Sequence, residues 1–403
     1  MKPTTRCAVV RSKCLGVSIL MIVAACGPAN SASTDLGDGP PLEAVVVAII
    51  GQVAGPAEYT FGDITSVAID ARGRVLISDS FGSEIKIYDA DGRFLGRFGR
   101  EGDGPGEFNA PRDLTFDVSG RLWIRDDSRI TVLQPGGAEG DWEVTDTRRF
   151  PGYARFTSRR GRVVGDRYLY PDAYLLGDIE RYFYLPLGPD GQSADTVPVP
   201  GSGLSRTRQA YYWISEGNGR MVFGLNRAPF EPQPSWDVTG AGTVVSGTGG
   251  EYRLVETDGA GKVLREFGRP GFPRQTVPHE EWLDSVDSVQ QRLDSIPVPL
   301  AEINGLSPLI KNRSIPDSLP SFINVFVDAE DRVWVQRWPS ATGARFDVYD
   351  RSRELVGAVT LSVMLQADPP PFARGEVLVG VLRDVATDVE SVAVVRVEAL
   401  GHE

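Results

Sequence analysis

Four places in the chain carry polar or aromatic side chains directly after a short apolar run, where a loop would present them to a ligand. These candidate site residues are Asp79, Asp126, Asp127, Arg337, Trp338, Arg383 and Asp384. Carboxylates that converge from several loops can hold a hard cation such as Ca²⁺ through oxygen ligands. The arginines and the tryptophan could equally form a small pocket for an anion or a sugar. Apart from this Ca²⁺ hypothesis, no cofactor is predicted.

Motifs of the common enzyme classes are absent from the sequence. The chain has no C-x-x-C, G-x-S-x-G or H-E-x-x-H motif, and its two histidines are His279 and the near-terminal His402. A Ser-His-Asp mechanism would therefore depend on His279 alone. The glycine-rich stretch GREGDGPGEF (99–108) fails as a phosphate loop because no Lys-Ser/Thr pair follows it and its acidic residues would repel phosphate. These absences favour a protein that is not an enzyme.

Short segments rich in β-branched and aromatic residues recur along the chain and predict the elements that position these side chains. Three similar pieces are VAIDARGRVLISDS (67–80), LTFDVSGRLWIRDD (114–127) and VFVDAEDRVWVQRW (325–338). Each contains a strand, an aspartate, a turn, an arginine and a second strand. Gly73 and Gly120 suit a turn that needs a positive φ, and the aspartate can accept hydrogen bonds from the amides of the turn. The pattern therefore predicts antiparallel hairpins.

A second hairpin follows each first one, so the predicted unit is a four-stranded antiparallel sheet. The second hairpins are IKIYDADGRFLGRF (85–98), VETDGAGKVLREF (255–267) and FDVYDRSRELVG (346–357). Residues 89–102 also align without gaps to residues 258–271, which identifies the glycine-rich stretch as a repeated linker between sheets. Four-stranded units that recur about every 40–50 residues are typical of propeller blades.

The segment that runs from ITSVAIDARGRVLISDS (64–80) through the linker to APRDLTFD (110–117) resembles NHL-type repeats of six-bladed β-propellers, within the broader TolB-like superfamily. The resemblance implies an all-β fold of six four-stranded antiparallel blades. It also implies that the loops after each blade's second strand gather at one end of the channel. In such repeats the aspartate of this loop usually bonds neighbouring backbone, which is the structural alternative for Asp79 and Asp126. Related six-bladed families include metal-dependent lactonases and lyases, whose ligands cannot be matched to this chain residue by residue.

Six blades are favoured over five or seven, with the third and sixth degenerate. The predicted blades are 64–98, 112–147, 153–199, 235–267, 322–361 and 372–399. The early strand EAVVVAIIG (43–51) is expected to add to the last blade as its outer strand, which would close the ring and remove exposed edges. Two insertions interrupt the blades, at about 200–234 and 272–318.

The second insertion contains a predicted helix. Five apolar residues spaced four, three, four and three apart form a single helical stripe: Trp282, Val286, Val289, Leu293 and Ile296. Pro297 ends the pattern. Two interpretations remain open, a helix packed on a blade and a lid over the channel mouth.

Residues 1–25 are predicted to be a signal peptide. A basic segment precedes the apolar stretch LGVSILMIVAA (15–25), which is too short to span a bilayer. The sequence VAAC (23–26) resembles the lipobox of bacterial lipoproteins, which implies cleavage before Cys26 and lipidation of that residue. The alternative is an ordinary secretory signal with an incidental cysteine. Residues 26–42 are predicted to be a flexible tether, and residues 43–403 the propeller.

The lipoprotein resemblance implies a lipid-anchored, extracytoplasmic protein of the bacterial cell envelope, and Gly27 after the cysteine favours the outer membrane. The net charge of −12 falls to −16 once the four positive residues of the signal peptide leave. Because such a surface repels polyanions, nucleic-acid binding is not expected. We favour a non-catalytic module that binds an unknown protein, peptide or glycan. The alternatives are a metal-dependent hydrolase or lyase with its site at the channel mouth, and a purely structural envelope protein.

Overall fold

The fold was described from a computed structural model. It covers residues 39–398 and 400, apart from 127–128, 138–140, 150–158, 177–178, 191–194, 202–203, 206–208, 216–220, 228–229, 295–314, 341–342 and 385–386. The candidate Asp127 and the predicted lipidation site Cys26 lie outside these residues.

The first half of the propeller contains two leading strands and three blades. The leading strands are β1 (Pro41–Leu42) and β2 (Ala44–Ile50), followed by a short 3-10 helix (Ala57–Tyr59). Blade one consists of β3 (Ile64–Ile69), β4 (Val75–Asp79), β5 (Glu84–Tyr88) and β6 (Phe94–Phe98). Blade two consists of β7 (Asp113–Phe116), β8 (Leu122–Arg125), β9 (Arg129–Pro135) and β10 (Trp142–Arg149). Blade three consists of β11 (Arg162–Val164), β12 (Arg167–Leu176), β13 (Ile179–Leu187) and β14 (Val197–Pro198).

The second half begins with an insertion and ends with three blades. The insertion holds β15 (Leu204–Ser205), which pairs with β13, and a separate hairpin of β16 (Gln209–Ser215) and β17 (Met221–Arg227). Blade four consists of β18 (Ser235–Val238), β19 (Val244–Gly247), β20 (Arg253–Thr257) and β21 (Val263–Gly268). After the helix α1 (His279–Asp294), blade five consists of β22 (Phe322–Val327), β23 (Val333–Arg337), β24 (Arg345–Tyr349) and β25 (Leu355–Thr360). Blade six consists of β26 (Phe372–Arg374), β27 (Val377–Arg383) and β28 (Glu390–Val397).

The ring is closed by the beginning of the chain. Strand β2 pairs antiparallel with β28 and becomes the fourth strand of blade six, as the sequence predicts. Strand β1 pairs in parallel with β25 and adds a fifth strand to blade five. Buried apolar side chains fill the spaces between neighbouring sheets around the whole ring, so that each blade hides its faces against the next. The predicted six-bladed, all-β fold with a short helical insertion is confirmed.

Aspartates shape the first turn of several blades in the predicted way. In blade one, Asp70 Oδ1 accepts the backbone N–H groups of Arg72 and Arg74, both at 2.9 Å, and Oδ2 accepts Arg74 Nε at 2.7 Å. Asp117 and Asp328 make the same three bonds in blades two and five. The aspartate side chain thus stabilises the turn by accepting two of its backbone N–H groups.

Strand order divides the loops between two faces. The connections between strands two and three of a blade and those from one blade to the next lie on one face, which we call the linker face. The turns between strands one and two and between strands three and four lie on the other, the hairpin face. Because adjacent strands run antiparallel, every candidate site residue that follows a second strand lies on the linker face.

The helix α1 presents a buried face at its start. Trp282 and Val286 are each only 2 % exposed, which agrees with the predicted stripe. The side chains of Val289 and Leu293, and all of Ile296, lie outside the described residues. The predicted start of blade three, residues 153–158, lies outside the described residues, and the first described strand of this blade begins at Arg162. No helix in the described part of the chain is long and apolar enough to cross a membrane.

Candidate functional site

Asp79 holds neighbouring backbone on the linker face. It is 3 % exposed, and its carboxylate accepts the backbone N–H groups of Gly62, Asp63 and Gly82 at 3.2–3.3 Å. The ammonium of Lys86 lies 3.4 Å from Oδ2. Both oxygens are therefore engaged in fixing the segment that enters blade one and the loop that follows β4.

Asp126 has the same task in blade two. Its oxygens accept the N–H groups of Asn109 at 3.0 Å and Ala110 at 2.7 Å, and Arg129 donates to Oδ2 from Nε and Nη2 at 3.2 and 3.1 Å. Arg129 also donates to three carbonyls of the glycine-rich linker, including that of Gly102 at 2.6 Å. The aspartate–arginine pair thus pins the linker between blades one and two.

These two carboxylates do not fit a calcium site. Ca²⁺ takes six to eight oxygen ligands, and a lysine or arginine already paired with a carboxylate repels the metal ion. The oxygens of Asp79 and Asp126 already face amides and a lysine or arginine. Within the described ranges, no three His, Cys, Asp or Glu side chains are grouped so that they could hold a metal ion.

The candidates in blade six form their own local cluster. Arg383 Nε donates to Asp388 at 2.5 Å, and this bond raises the pKa of the Arg383 guanidinium. Asp384 Oδ1 accepts the backbone N–H of Thr387 at 2.8 Å and its hydroxyl at 3.0 Å. Among the described residues, no hydrogen bond or ion pair joins Asp79, Asp126, Arg337 and Arg383 to one another.

Arg337 and Trp338 line a narrow recess that adjoins a groove of about 660 Å³ on the linker face of blades four and five. The groove is built from the start of β20, the end of β21 and the linker that follows. Its characteristic side chains are Tyr252, Arg253, Glu266, Phe267, Phe272 and Arg274. A narrower recess continues from Phe272 and Arg274 to Trp338 and Arg345. The groove therefore combines an aromatic floor with a charged rim, as ligand sites often do.

The floor of the groove is fixed by a buried ionic cluster. Asp347 is fully buried and accepts Arg269 Nη1 at 3.0 Å, Arg337 Nη1 at 3.3 Å and the hydroxyl of Tyr252 at 2.5 Å. Burial, and next the nearby Asp347 carboxylate, raise the pKa of Tyr252 well above its ordinary value. The guanidinium groups of Arg269 and Arg337 lie 4.5 and 5.3 Å from the ring centre of Phe272. This cluster holds the aromatic floor in one arrangement before any ligand arrives.

Glycine is required where this linker begins. Gly268 has a φ of +131°, and a Cβ there would lie 2.3 Å from the carbonyl oxygen of Tyr252. Gly99 occupies the same position of the repeated element after blade one, with a φ of +97°. The tight approach brings the linker against the sheet and places Phe272 over Tyr252, with ring centres 5.1 Å apart and perpendicular planes.

The rim carries two kinds of arginine. Arg253 forms a two-bonded ion pair with Glu266, at 2.9 and 2.5 Å, and this contact raises the pKa of Arg253. Arg274 is exposed and has no hydrogen-bond or ion-pair partner among the described residues. Arg345 donates to the carbonyl of Trp338 at 2.9 and 3.2 Å, which orients the tryptophan loop. Arg274 is thus a cation available to a ligand at the point where groove and recess meet.

A second charged cluster, which the sequence analysis missed, ties several blades together. Arg160 is 5 % exposed and donates to the carbonyls of Pro370 and Pro371 at 3.0 and 3.2 Å. Asp113 accepts the N–H of Gly161 at 2.6 Å and the hydroxyl of Tyr168. Burial raises the pKa of Asp113, and burial lowers the pKa of Arg160. The sequence feature that could have pointed to this cluster is the adjacent pair Arg159–Arg160 before β11, where the regular hairpin pattern is absent.

Comparison with known proteins agrees with this architecture. The profile of the DUF5128 family, described as a 6-bladed beta-propeller, matches residues 56–134. NHL repeat-containing protein 3 of mouse is 28 % identical over 145 residues, and its human counterpart is 28 % identical over 123 residues. Part of the chain is thus similar to NHL repeat-containing proteins. The matches span 31 % and 26 % of this chain and only 41 % and 35 % of the length of these relatives.

Several solved structures are similar to this propeller. A putative exported protein from Bacteroides fragilis is 12 % identical, with a TM-score of 0.46, over 89 % of this chain and 95 % of that one. Virginiamycin B lyase from Staphylococcus aureus is 11 % identical, with a TM-score of 0.35, over 90 % and 96 % of the two chains. Likenesses of this degree carry no information about activity.

Proposed function

We propose that this NHL-repeat propeller is a non-catalytic binding module, anchored in the cell envelope through a lipid on Cys26, that uses its linker face to hold a partner. The observation that carries the proposal is the groove of blades four and five. Its floor is held in place by Asp347, Arg269 and Arg337, and its rim offers an arginine without a partner among the described residues.

The carboxylates of the linker face support the same choice over a metal-assisted hydrolase or lyase. Of the aspartates that the sequence offers for ligation or proton transfer, Asp79 and Asp126 have their oxygens engaged by amides and cations. A rigid ring that presents loops is well suited to recognition without chemistry.

In-cell photo-cross-linking tests the proposed surface. A photoreactive amino acid replaces Pro273, which is exposed in the recess, or Ala71, which is exposed on the hairpin face as a matched control. A discrete cross-linked product from position 273 and none from position 71 is expected. Products from position 71 alone, or turnover of any substrate that is lost in Asp79→Asn, would contradict the proposal.

Membrane fractionation tests the anchor separately. A protein whose residues 1–26 are replaced by a secretory signal that is cleaved without a cysteine should move from the membrane fraction to the soluble fraction, because it then carries no acyl group. Retention of the variant in the membrane would refute the lipid anchor and leave the groove untouched.

A further inference from the structure

The structure assigns a ligand class to the groove of blades four and five: we infer that it binds an extended peptide segment that adds to the edge of β21 and places an acidic side chain on Arg274. The inference rests on the proposed binding function and specifies its ligand. Three observations carry it: the unpaired strand edge, the chemistry of the groove and the position of Arg274.

The strand edge comes first. In the described part of the chain β21 pairs only with β20, so its outer edge keeps free N–H and C=O groups. On the adjacent blade five, the corresponding edge of β25 is occupied by β1, with Pro41 and Leu42 opposite Ala358 and Val359. The protein thus already uses strand addition at the outer edge of one blade. An extended peptide can use the same backbone donors and acceptors at β21.

The end of β21 leads directly into the groove. Val263 and Leu264 are 51 % and 48 % exposed on the strand, and Glu266, Phe267 and Gly268 at its end line the groove. A peptide that follows the edge of β21 would therefore pass from an apolar strand surface onto the aromatic floor. Apolar side chains of the peptide fit this path.

The ring arrangement favours a peptide over a glycan. A sugar usually lies flat on an open aromatic face. The ring of Phe272 is approached by the guanidinium of Arg269 at 4.5 Å and by the Tyr252 ring at 5.1 Å. The ring of Trp338 packs on Phe230, with ring centres 5.3 Å apart. These rings offer edges and side walls, which accommodate branched apolar side chains.

Arg274 selects the charge of the ligand. Arg274 lines both the groove and the recess, and a carboxylate can form two parallel hydrogen bonds with a guanidinium. The chain as a whole carries a net charge of −12, which disfavours acidic ligands elsewhere on the surface. Distant charges are screened beyond roughly 8 Å at physiological salt, so the charges on the groove itself count most. They are Arg274, the Arg253–Glu266 pair and Glu251, and Arg274 is the cation that no carboxylate of the described residues pairs with.

Selection from a displayed library of random decapeptides tests the inference. The baits are the intact propeller, Arg274→Gln and the matched control Arg72→Gln, which removes an exposed arginine from the hairpin face. Wild type and Arg72→Gln should enrich peptides with an aspartate or glutamate beside apolar residues. Arg274→Gln should lose the acidic preference while its melting temperature stays unchanged.

Titration of one selected peptide measures the effect. Replacing its acidic residue by the amide should weaken binding to wild type by about tenfold, and by much less to Arg274→Gln. Two versions of the peptide, methylated at the odd or at the even backbone nitrogens, test the strand pairing. Only one of these two sets faces β21, so only one version should bind more weakly, because its main-chain bonds to β21 are lost.

Three results would overturn the inference. They are an enrichment without acidic residues, an acidic enrichment that survives in Arg274→Gln, and binding of oligogalacturonate with no peptide selected. In each case a cross-link from position 273 in cells would still support the binding function, so the two failures can be told apart.

Discussion

The turn aspartates allow one contribution to stability to be measured against a natural control. In blade five, Asp328 is 1 % exposed. Its Oδ1 accepts two backbone N–H groups, and its Oδ2 accepts Arg332 Nε at 2.6 Å and Trp334 Nε1 at 2.9 Å. In blade four, Asp258 Oδ1 makes the same two backbone bonds, and no side chain among the described residues contacts its Oδ2.

We expect Asp328→Asn to lower the free energy of unfolding by about 3–5 kcal/mol, the range for breaking a buried ion pair. In either orientation of the new amide, its N–H₂ group faces N–H donors, from Arg332 and Trp334 or from the backbone. Asp258→Asn keeps its acceptor for the backbone and turns the N–H₂ group to solvent. Its effect should stay within about 0.5 kcal/mol, as for other surface changes.

Urea unfolding followed by far-ultraviolet circular dichroism gives both values, and equal slopes against urea would show that the same surface is exposed on unfolding. Equal losses for Asp328→Asn and Asp258→Asn would refute the reasoning, since the turn would then need only the two backbone bonds that both aspartates make.

Two further predictions concern the seam between blade six and blade one. Ile50 is fully buried on the closing strand, and Ile50→Ala should lower the free energy of unfolding in urea by about 2–5 kcal/mol. Ile49 is 56 % exposed, and Ile49→Ala should lower it by less than about 1 kcal/mol. Equal losses would mean that the burial of Ile50 contributes no packing energy. Burial, reinforced by the carboxylate of Asp63, raises the pKa of Glu390, so its contribution to stability is fully present below the ordinary glutamate pKa and is lost as pH rises through the folded value. Glu390→Gln keeps the oxygen that accepts the N–H of Ile64 at 2.8 Å, so it should raise the melting temperature at pH 7. The gain should shrink toward about pH 4, where Glu390 itself becomes neutral. A gain in melting temperature that grows in acid would contradict the raised pKa.

The fold was predictable because its signals are local. The aspartate, turn and arginine of each hairpin lie within five residues of one another, as at Asp70 and Arg74, and the hydrogen bonds that they predict are the ones that form. The closing strand was predictable for a different reason: a ring of sheets leaves one blade a strand short, and residues 43–51 have strand character.

The site was less predictable because its contacts are distant in sequence. The sequence left open whether Asp79 binds a ligand or backbone, and its partner amides at Gly62 and Asp63 lie 17 and 16 residues away on an irregular segment. The groove contains Tyr252 and the adjoining recess contains Trp338, two residues of different blades with an inserted helix between them in the chain. The conformation of the linker after β21 determines which of these side chains lie close together, and the sequence does not reveal that conformation.

The seam of blade six has a consequence for how this protein is made. Strand β2 is synthesised near the start of the chain, and its partner β28 near the end. During synthesis, β2 therefore has no pairing partner until almost the entire chain has been made. Loss of β2 or of β28 removes a strand of the same blade and exposes Ile50 or its apolar neighbours on β28 to water. The ring can therefore close only after nearly the whole chain has been synthesised.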